Sequence, residues 1–395
     1  MSENPKNMPS GWHIDPDTGT WMRNTIHSMA RRCRNWDYCG TGTYLITLVL
    51  NDRARLLFGR VAEDRPEIIL SELGRAIERH FRRIAEFTPE IEVLGVQVMP
   101  EHLHGVLRVK RRMVKPLGER LRGFKIGATK IARELGVIGC SGINAGACVN
   151  AEARVRGHGL FADGFTDTIL FDAEAVAKGL AYVADNPRRL WVKRAHPELF
   201  RVLRDLRWRS PVNGREMHFA GIGNHELLNA PLMLQVQCSR SYFTYARNAM
   251  GKIDHAARPL VETPEFSTKA EALLAAAAHG AVLVSPCISP GEKEIARRAF
   301  AAGHRVITLS NKGISPLYKP GGRLFDQCAA GNLLMLAPAG WPYLPGEKKI
   351  TRMDACVLNR IAQLMAREGA VEIDYKGAHL VGIEEEMLRA TEAWR

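Results

Sequence analysis

Long apolar runs are missing from this chain of 395 residues. Nothing in it approaches the roughly 18 consecutive apolar residues that a membrane-spanning helix needs. The start, Met1-Ser2-Glu3-Asn4-Pro5, lacks the basic-then-apolar order of a secretory signal, so a cytoplasmic protein with no membrane partner is expected. Paired cysteines are also absent. The eight cysteines (Cys33, Cys39, Cys140, Cys148, Cys238, Cys287, Cys328, Cys356) never take a Cys-x-x-Cys spacing, which argues against a zinc ribbon and leaves reduced thiols as the default. No internal repeat or low-complexity tract occurs, and no complete Gly-x-Gly-x-x-Gly fingerprint supports a dinucleotide cofactor.

Acidic residues run short as well. Lys and Arg number 55 against 42 Asp and Glu, a net +13. The excess is uneven: up to residue 215 there are 35 basic and 24 acidic residues (+11), and beyond it 20 and 18 (+2). Phosphate backbones are the natural counterpart of such a surplus. Its concentrations are Arg31-Arg32-Cys33-Arg34, Arg108-Val109-Lys110-Arg111-Arg112, and the series Arg120, Arg122, Lys125, Lys130 and Arg133. Each run alone also reads as a solvated face; their crowding favours nucleic acid.

The most informative stretch is Val98-Met99-Pro100-Glu101-His102-Leu103-His104-Gly105-Val106-Leu107. Side chains alternate along a strand, so His102 and His104 share one face while Leu103 turns to the core. Two neutral imidazoles so placed can chelate one divalent ion, or can simply be solvated or hydrogen-bonded. Almost eighty residues on comes Tyr182-Val183-Ala184-Asp185-Asn186-Pro187, after a helix-forming run that Asp172 can cap and Pro187 is expected to stop. Residues four apart share a helix face, so Lys178, Tyr182 and Asn186 form one polar ridge. Read alone, Tyr182 is equally a packing residue and Asn186 a helix terminator.

Taken together, Pro-Glu-His-x-His and a later Tyr-x-x-x-Asn-Pro resemble the single-tyrosine HUH transposases, in the branch of the REP-associated tyrosine transposases. Trp36-Asp37-Tyr38 leading into Tyr44-Leu45-Ile46-Thr47-Leu48, and Gly164-Phe165-Thr166-Asp167-Thr168-Ile169-Leu170, add to the likeness, which spans about residues 35 to 200. The resemblance implies a ferredoxin-like sheet with helices on one side and metal-dependent nicking and rejoining of single-stranded DNA. It implies His102, His104 and Asn186 as ligands of a metal, for which Mg²⁺ or Mn²⁺ is expected, and Tyr182 as nucleophile; Lys178, on the same ridge, is read either as steadying a phosphate oxygen or the leaving group or as simply solvated. The charge concentrations give Arg108, Lys110, Arg111, Arg112, Arg122, Lys125 and Lys130 as the expected DNA contacts, with a hairpin or repeat element as expected target and a nucleoid-associated location expected. A homodimer stays open. The chemistry suits these residue types: a phenol that keeps the phosphoryl group conserves the bond for rejoining, and a hard ion neutralises charge on the phosphate.

Strands are expected at 43–50, about 91–99 and about 102–110, and helices at about 67–87, 117–135 and 173–185. That is the order of a split βαβ sheet with the histidine strand central. Gly136 to Gly159 reads as a loop, and Lys193 to Arg215, with Trp191 and Trp208 beside it, as the linker. Beyond it, Gly280–Pro286, Arg305–Leu309 and Asn332–Pro338 read as strands of parallel βαβ units. Ser289 and Glu292 form a capping box with Pro290 at the first helical position, a helix start where a phosphate could also bind. Gln237-Cys238-Ser239-Arg240-Ser241 and Tyr318-Lys319-Pro320 give this half a distant resemblance to the Rossmann-like fold of the DprA family of DNA-processing proteins. The expectation is therefore an α+β ferredoxin-like HUH domain over 35–215 and an α/β Rossmann-like accessory domain over 216–380. Two alternatives remain: a DNA-hairpin-binding regulator that keeps the HUH fold without catalysis, and a small-molecule metallohydrolase. The latter needs a second cluster of ligands, and His158 stands isolated.

Overall fold

The structure, a computed structural model, describes residues 36–138, 159–211, 214–238, 261–343 and 349–366, with short strand segments at 12–14, 21–23 and 243–244. Arg31-Arg32-Cys33-Arg34, most of the Gly136–Gly159 loop, His158 and Ser239-Arg240-Ser241 lie outside the described residues. The chain divides into two compact units, Met1–Trp191 and Val192–Arg395.

In the first unit, β1 (Gly42–Val49) is a strand because its apolar residues alternate. Tyr44, Ile46 and Leu48 are fully buried on one face, and Thr43, Leu45, Thr47 and Val49 take the other. The short strands β2 (Gly59–Val61) and β3 (Ile68–Leu70) pair with each other. Helix α1 (Glu72–Arg82) follows, its N-terminus closed by Ser71, whose hydroxyl accepts from the Gly74 amide at 3.0 Å. The helix expected over 67–87 therefore starts later. Ile68 and Ile69 are β-branched and find strand partners in Val61 and Arg60, which outweighs their fit to the helical period. Leu73, Ile77, Phe81 and Ile84 do form the core stripe.

β4 (Ile91–Met99), β5 (His102–Val109), α2 (Leu117–Glu134) and β6 (Thr166–Leu170) complete the unit's main sheet, in the order β4-β5-β1-β6. Every pairing in it is antiparallel. This is the strand order of a split βαβ sheet, with the histidine strand in the interior. Trp36, Asp37 and Tyr38 tie its edges: the Trp36 indole donates to the Tyr44 hydroxyl at 2.9 Å, and the Tyr38 hydroxyl to Asp167 Oδ2 at 2.7 Å.

α1 and α2 cover one face. Their buried residues, with Leu121 and Phe124 from α2, join Tyr44, Ile46, Leu48, Leu103 and Leu107 in one cluster. Helix α3 (Ala173–Ala195) lies on the opposite face, so the expected arrangement with helices on one side is corrected. Leu180 packs at Gly95, and Leu190 and Trp191 pack with Met99, Val61 and Ile68. Asp172 caps α3 through the Ala175 amide at 2.7 Å. The expected stop at Pro187 does not occur: α3 runs through it to Ala195. Proline in a helix interior costs about 3 kcal/mol, but apolar burial beyond it and the Trp191 indole bond to the Glu63 carbonyl at 3.2 Å hold the continuation.

The second unit carries a six-stranded mixed sheet. Four parallel strands, β9 (Met233–Gln235), β10 (Val282–Ser285), β11 (Val306–Leu309) and β12 (Leu333–Pro338), run in sequence order. An antiparallel pair, β8 (Glu216–Gly223) and then β7 (Leu203–Arg209), extends the sheet beyond β12. Helices α4 (Pro264–Ala278) and α5 (Pro290–Ala301) pack on one face around Leu283 and Val306. A helix α7 (Arg352–Met365) packs on the other around Val282, Val284, Ile307 and Leu309. A short helix, α6 (Gly322–Ala329), links β11 to β12. Two expectations change. Residues 203–209 of the proposed linker are a strand of this sheet, because Leu206 and Trp208, two positions apart, give it a face on the core. The Rossmann-like pattern is met in its parallel βαβ half only, since the parallel strands show none of the order reversal that opens a cofactor crevice.

Gly105, on the helix-covered face of β5, marks how closely this core is packed: a Cβ there would lie 2.3 Å from Phe81 Cζ. Gly105→Ala is expected to destabilise the first unit by about 1–3 kcal/mol through overpacking. Gly123→Ala, in the α2 interior with nothing within 4 Å of its Cβ, is expected to stabilise by about 0.5–1 kcal/mol. Urea denaturation of both variants checks the opposite signs.

Candidate active site

The strand period delivers the site. Leu103 enters the core, and His102 and His104 stand on the face toward α3. Their Nε2 atoms face each other at 3.1 Å. Each remaining ring nitrogen is engaged: His102 Nδ1 with Glu101 Oε1 at 3.1 Å, and His104 Nδ1 with Thr47 Oγ1 at 2.9 Å. Thr47 stands opposite His104 in the β1–β5 register. Glu101 is further approached by Arg53 at 3.9 Å, and its carboxyl is held below the usual range chiefly by the His102 hydrogen bond. Burial, then the neighbouring His102, pushes the His104 pKa down from 6.5 to about 3, so His104 is a neutral imidazole at physiological pH.

This pair fits a divalent ion. Two cis ligands of an octahedral ion at about 2.1 Å each lie about 3.0 Å apart, close to the Nε2 separation seen here. Both Nδ1 atoms have partners, the usual support for imidazole ligands, which leaves the two Nε2 atoms as the nitrogens that could meet an ion. Among the described residues no group of three or more His, Cys, Asp or Glu gathers for a metal.

Tyr182 lies against the pair, its ring centroid 5.5 Å from that of His104 at an interplanar angle of 70°. It is 38% exposed, so part of the residue meets solvent. Asn186 donates from Nδ2 to the Tyr182 carbonyl at 2.7 Å, a bond that does not use its Oδ1. Lys178 is engaged elsewhere: it forms an exposed pair with Glu174 at 2.5 Å, which raises its pKa. Sequence reasoning missed Arg189, whose guanidinium carbon lies 5.6 Å from the Tyr182 ring centroid with the side chain 13% exposed. The signal was the Arg188-Arg189 pair, hidden because the helix was expected to end at Pro187.

The basic residues separate. Arg108 shares the histidine face of β5 and pairs with Glu92 at 3.5 Å. Lys110 and Arg111 are exposed in the connection to α2, where Arg112 binds Asp37 at 2.6 Å. Arg122 and Lys130 ride on α2, so the sheet stands between them and the histidine pair; Lys130 also pairs with Glu134 at 3.8 Å. Lys125 turns inward and donates to the carbonyls of Ala162 and Gly164, clamping the segment ahead of β6.

In the second unit, the helix start considered for phosphate is closed by its own side chains. Glu292 is 3% exposed and accepts from the Ile288 amide at 2.7 Å and the Ser289 amide at 3.4 Å, while the Ser289 hydroxyl accepts from Glu292 N at 3.2 Å. The Glu292 carboxyl and the Ser289 hydroxyl thus engage the Ile288, Ser289 and Glu292 amides at this helix start. A cleft of about 540 Å³ opens beside this helix, with Lys293, Arg297, Phe300, Ser310 and Met335 in its lining.

No protein-family model matches the chain. An uncharacterised protein of Haemophilus influenzae is 27% identical over 128 residues, covering 27% of this chain and 69% of that protein. Among solved structures, a REP-associated tyrosine transposase bound to a REP hairpin aligns at a TM-score of 0.28 and 15% identity over 41% of this chain and 76% of that one. A candidate transposase of Deinococcus radiodurans R1 aligns at a TM-score of 0.24 and 12% identity over 39% and 95%.

The His104 environment has a pH consequence. Between pH 6.5 and about 3 the unfolded chain binds the proton that folded His104 refuses, so stability falls as pH drops through that window. His104→Gln should flatten the dependence of the urea midpoint on pH between 7 and 4, while the other acid-titrating groups act alike in both proteins. An unchanged slope in the variant would assign the pH dependence to those other groups.

Proposed function

We propose that the first unit is a metal-dependent single-stranded DNA endonuclease and transposase that nicks and rejoins DNA through a covalent bond to Tyr182. The observation that carries this reading is the meeting of the Tyr182 ring with a histidine pair whose Nε2 atoms converge at 3.1 Å. The concentration of positive charge in the first 215 residues (35 basic, 24 acidic) supports a nucleic-acid partner.

In the proposed reaction the Tyr182 oxygen gives an electron pair to phosphorus. The Tyr–O–P bond forms as the bond to one deoxyribose oxygen breaks, the phenol proton passes to solvent, and the departing oxygen takes a proton from water. Rejoining reverses these changes with a deoxyribose hydroxyl as nucleophile. His102 and His104, with Asn186 Oδ1 as the proposed third ligand, would hold Mg²⁺ or Mn²⁺, which supplies charge neutralisation on the phosphate when bound. Glu101, accepting from His102 Nδ1–H, favours the tautomer with a free Nε2, and Thr47 Oγ1 would do the same for His104 when it accepts from Nδ1–H. Hairpin or repeat elements are the proposed targets.

Labelled single strands covering the flanks of the protein's own gene, incubated with Mn²⁺, should become covalently attached to the wild-type protein. Tyr182→Phe should abolish the adduct and leave affinity nearly unchanged. His102→Ala or His104→Ala should slow adduct formation by about 10²-fold or more, and EDTA should stop it. Tight binding without any adduct would favour the hairpin-binding regulator instead.

A further inference from the structure

The cation at the proposed nucleophile comes from a residue beyond the proline. Arg189 follows Tyr182 by seven positions, two turns on the same face of α3. Helical side chains slope back toward the N-terminus, and that slope carries its guanidinium over the Tyr182 ring at 5.6 Å. The same ring meets His104 at 5.5 Å, so phenol, imidazole and guanidinium form one cluster. Only 13% of the Arg189 side chain is exposed, against 73% for Lys178. The carboxylate between the two arginines is directed mainly to Arg188: Asp185 accepts from Arg188 Nε at 2.6 Å and Nη2 at 3.0 Å, and approaches Arg189 at 3.9 Å.

The Arg189 guanidinium is largely buried, so its desolvation has already been met within the fold. Its planar fork matches two oxygens of one phosphate. We propose that Arg189 is a catalytic residue: it binds the non-bridging oxygens of the phosphate that Tyr182 attacks and holds that phosphate in line with the phenol. The assignment rests on the reading of Tyr182 as nucleophile. It also gives the uninterrupted α3 a purpose, since a helix ending at Pro187 would not carry Arg189 onto the face of Tyr182.

The test compares wild type, Arg189→Ala, Arg189→Met and Arg189→Lys on the gene-flank strands, reading adduct rate, affinity by anisotropy, and thermal midpoint. Arg189→Ala and Arg189→Met are expected to slow adduct formation by about 10²-fold with a far smaller change in affinity. Arg189→Lys should recover part of the rate, and added guanidinium ion should restore part of it to Arg189→Ala. In the Tyr182→Phe background, replacing the target phosphate by a neutral methylphosphonate should weaken binding, and adding Arg189→Ala should erase that difference. Adduct formation at the wild-type rate in Arg189→Ala would overturn this assignment alone. So would a methylphosphonate effect that persists without Arg189, or a rate that falls only in step with affinity and thermal midpoint. Failure of the wild-type protein to form an adduct on any flank strand would overturn the nuclease reading itself, and this assignment with it.

Discussion

Everything at the candidate site depends on one geometric constraint, the two-residue period of β5. Leu103 and Leu107 enter the core under α1 and α2, with Gly105 between them against Phe81, and this anchoring fixes the strand's rotation. With that face spent on packing, His102 and His104 have only the opposite face to occupy. A slip of one residue in the pairing with β1 would bury both imidazoles among leucines and present Leu103 to α3. The register Thr47↔His104 and Val49↔His102 prevents it, and also supplies the Thr47 hydroxyl that orients His104. The core and the site are therefore two sides of the same hydrogen-bonded ladder.

The second determinant is a helix that local rules would have ended. Pro187 removes one backbone hydrogen bond from α3, yet Leu190 and Trp191 reach the Met99, Val61 and Ile68 cluster only if the helix continues. Apolar burial on that distal segment outweighs the local penalty. The consequence reaches the chemistry, because continuation keeps Tyr182 and Arg189 on one face and sets the phenol against His104. Asn186 contributes by holding the Tyr182 carbonyl just ahead of the proline.

The sheet also sorts the positive charge. Arg108 stands on the histidine face and α2 with Arg122 and Lys130 on the other, while Lys125 has become an internal clamp on Ala162 and Gly164. Charge that clusters in the sequence is thus divided between two faces in space. In the second unit a comparable internal settlement closes the α5 helix start, where Glu292 satisfies the amides that would otherwise face outward.

Periodicity and capping chemistry alone determined much of this protein. The alternation of Tyr44, Ile46 and Leu48, the His-Leu-His strand, the core stripe from Leu73 through α1 to Ile84 just beyond it, the Asp172 cap and the Ser289–Glu292 capping box were all legible, because each is written within a few neighbouring residues. So was the candidacy of His102, His104 and Tyr182. Tertiary structure decided what lies between distant segments: the side of the sheet on which α3 rests, its passage through Pro187, the pairing of Ile68–Leu70 with Gly59–Val61, and the union of residues 203–209 with the second sheet. It also decided the partners Thr47 and Arg189, and the inward turn of Lys125. The physical reason is common to them all. Each outcome balances a local preference against burial or hydrogen bonding supplied by a segment remote in the chain, and that second term has no signature in the local pattern.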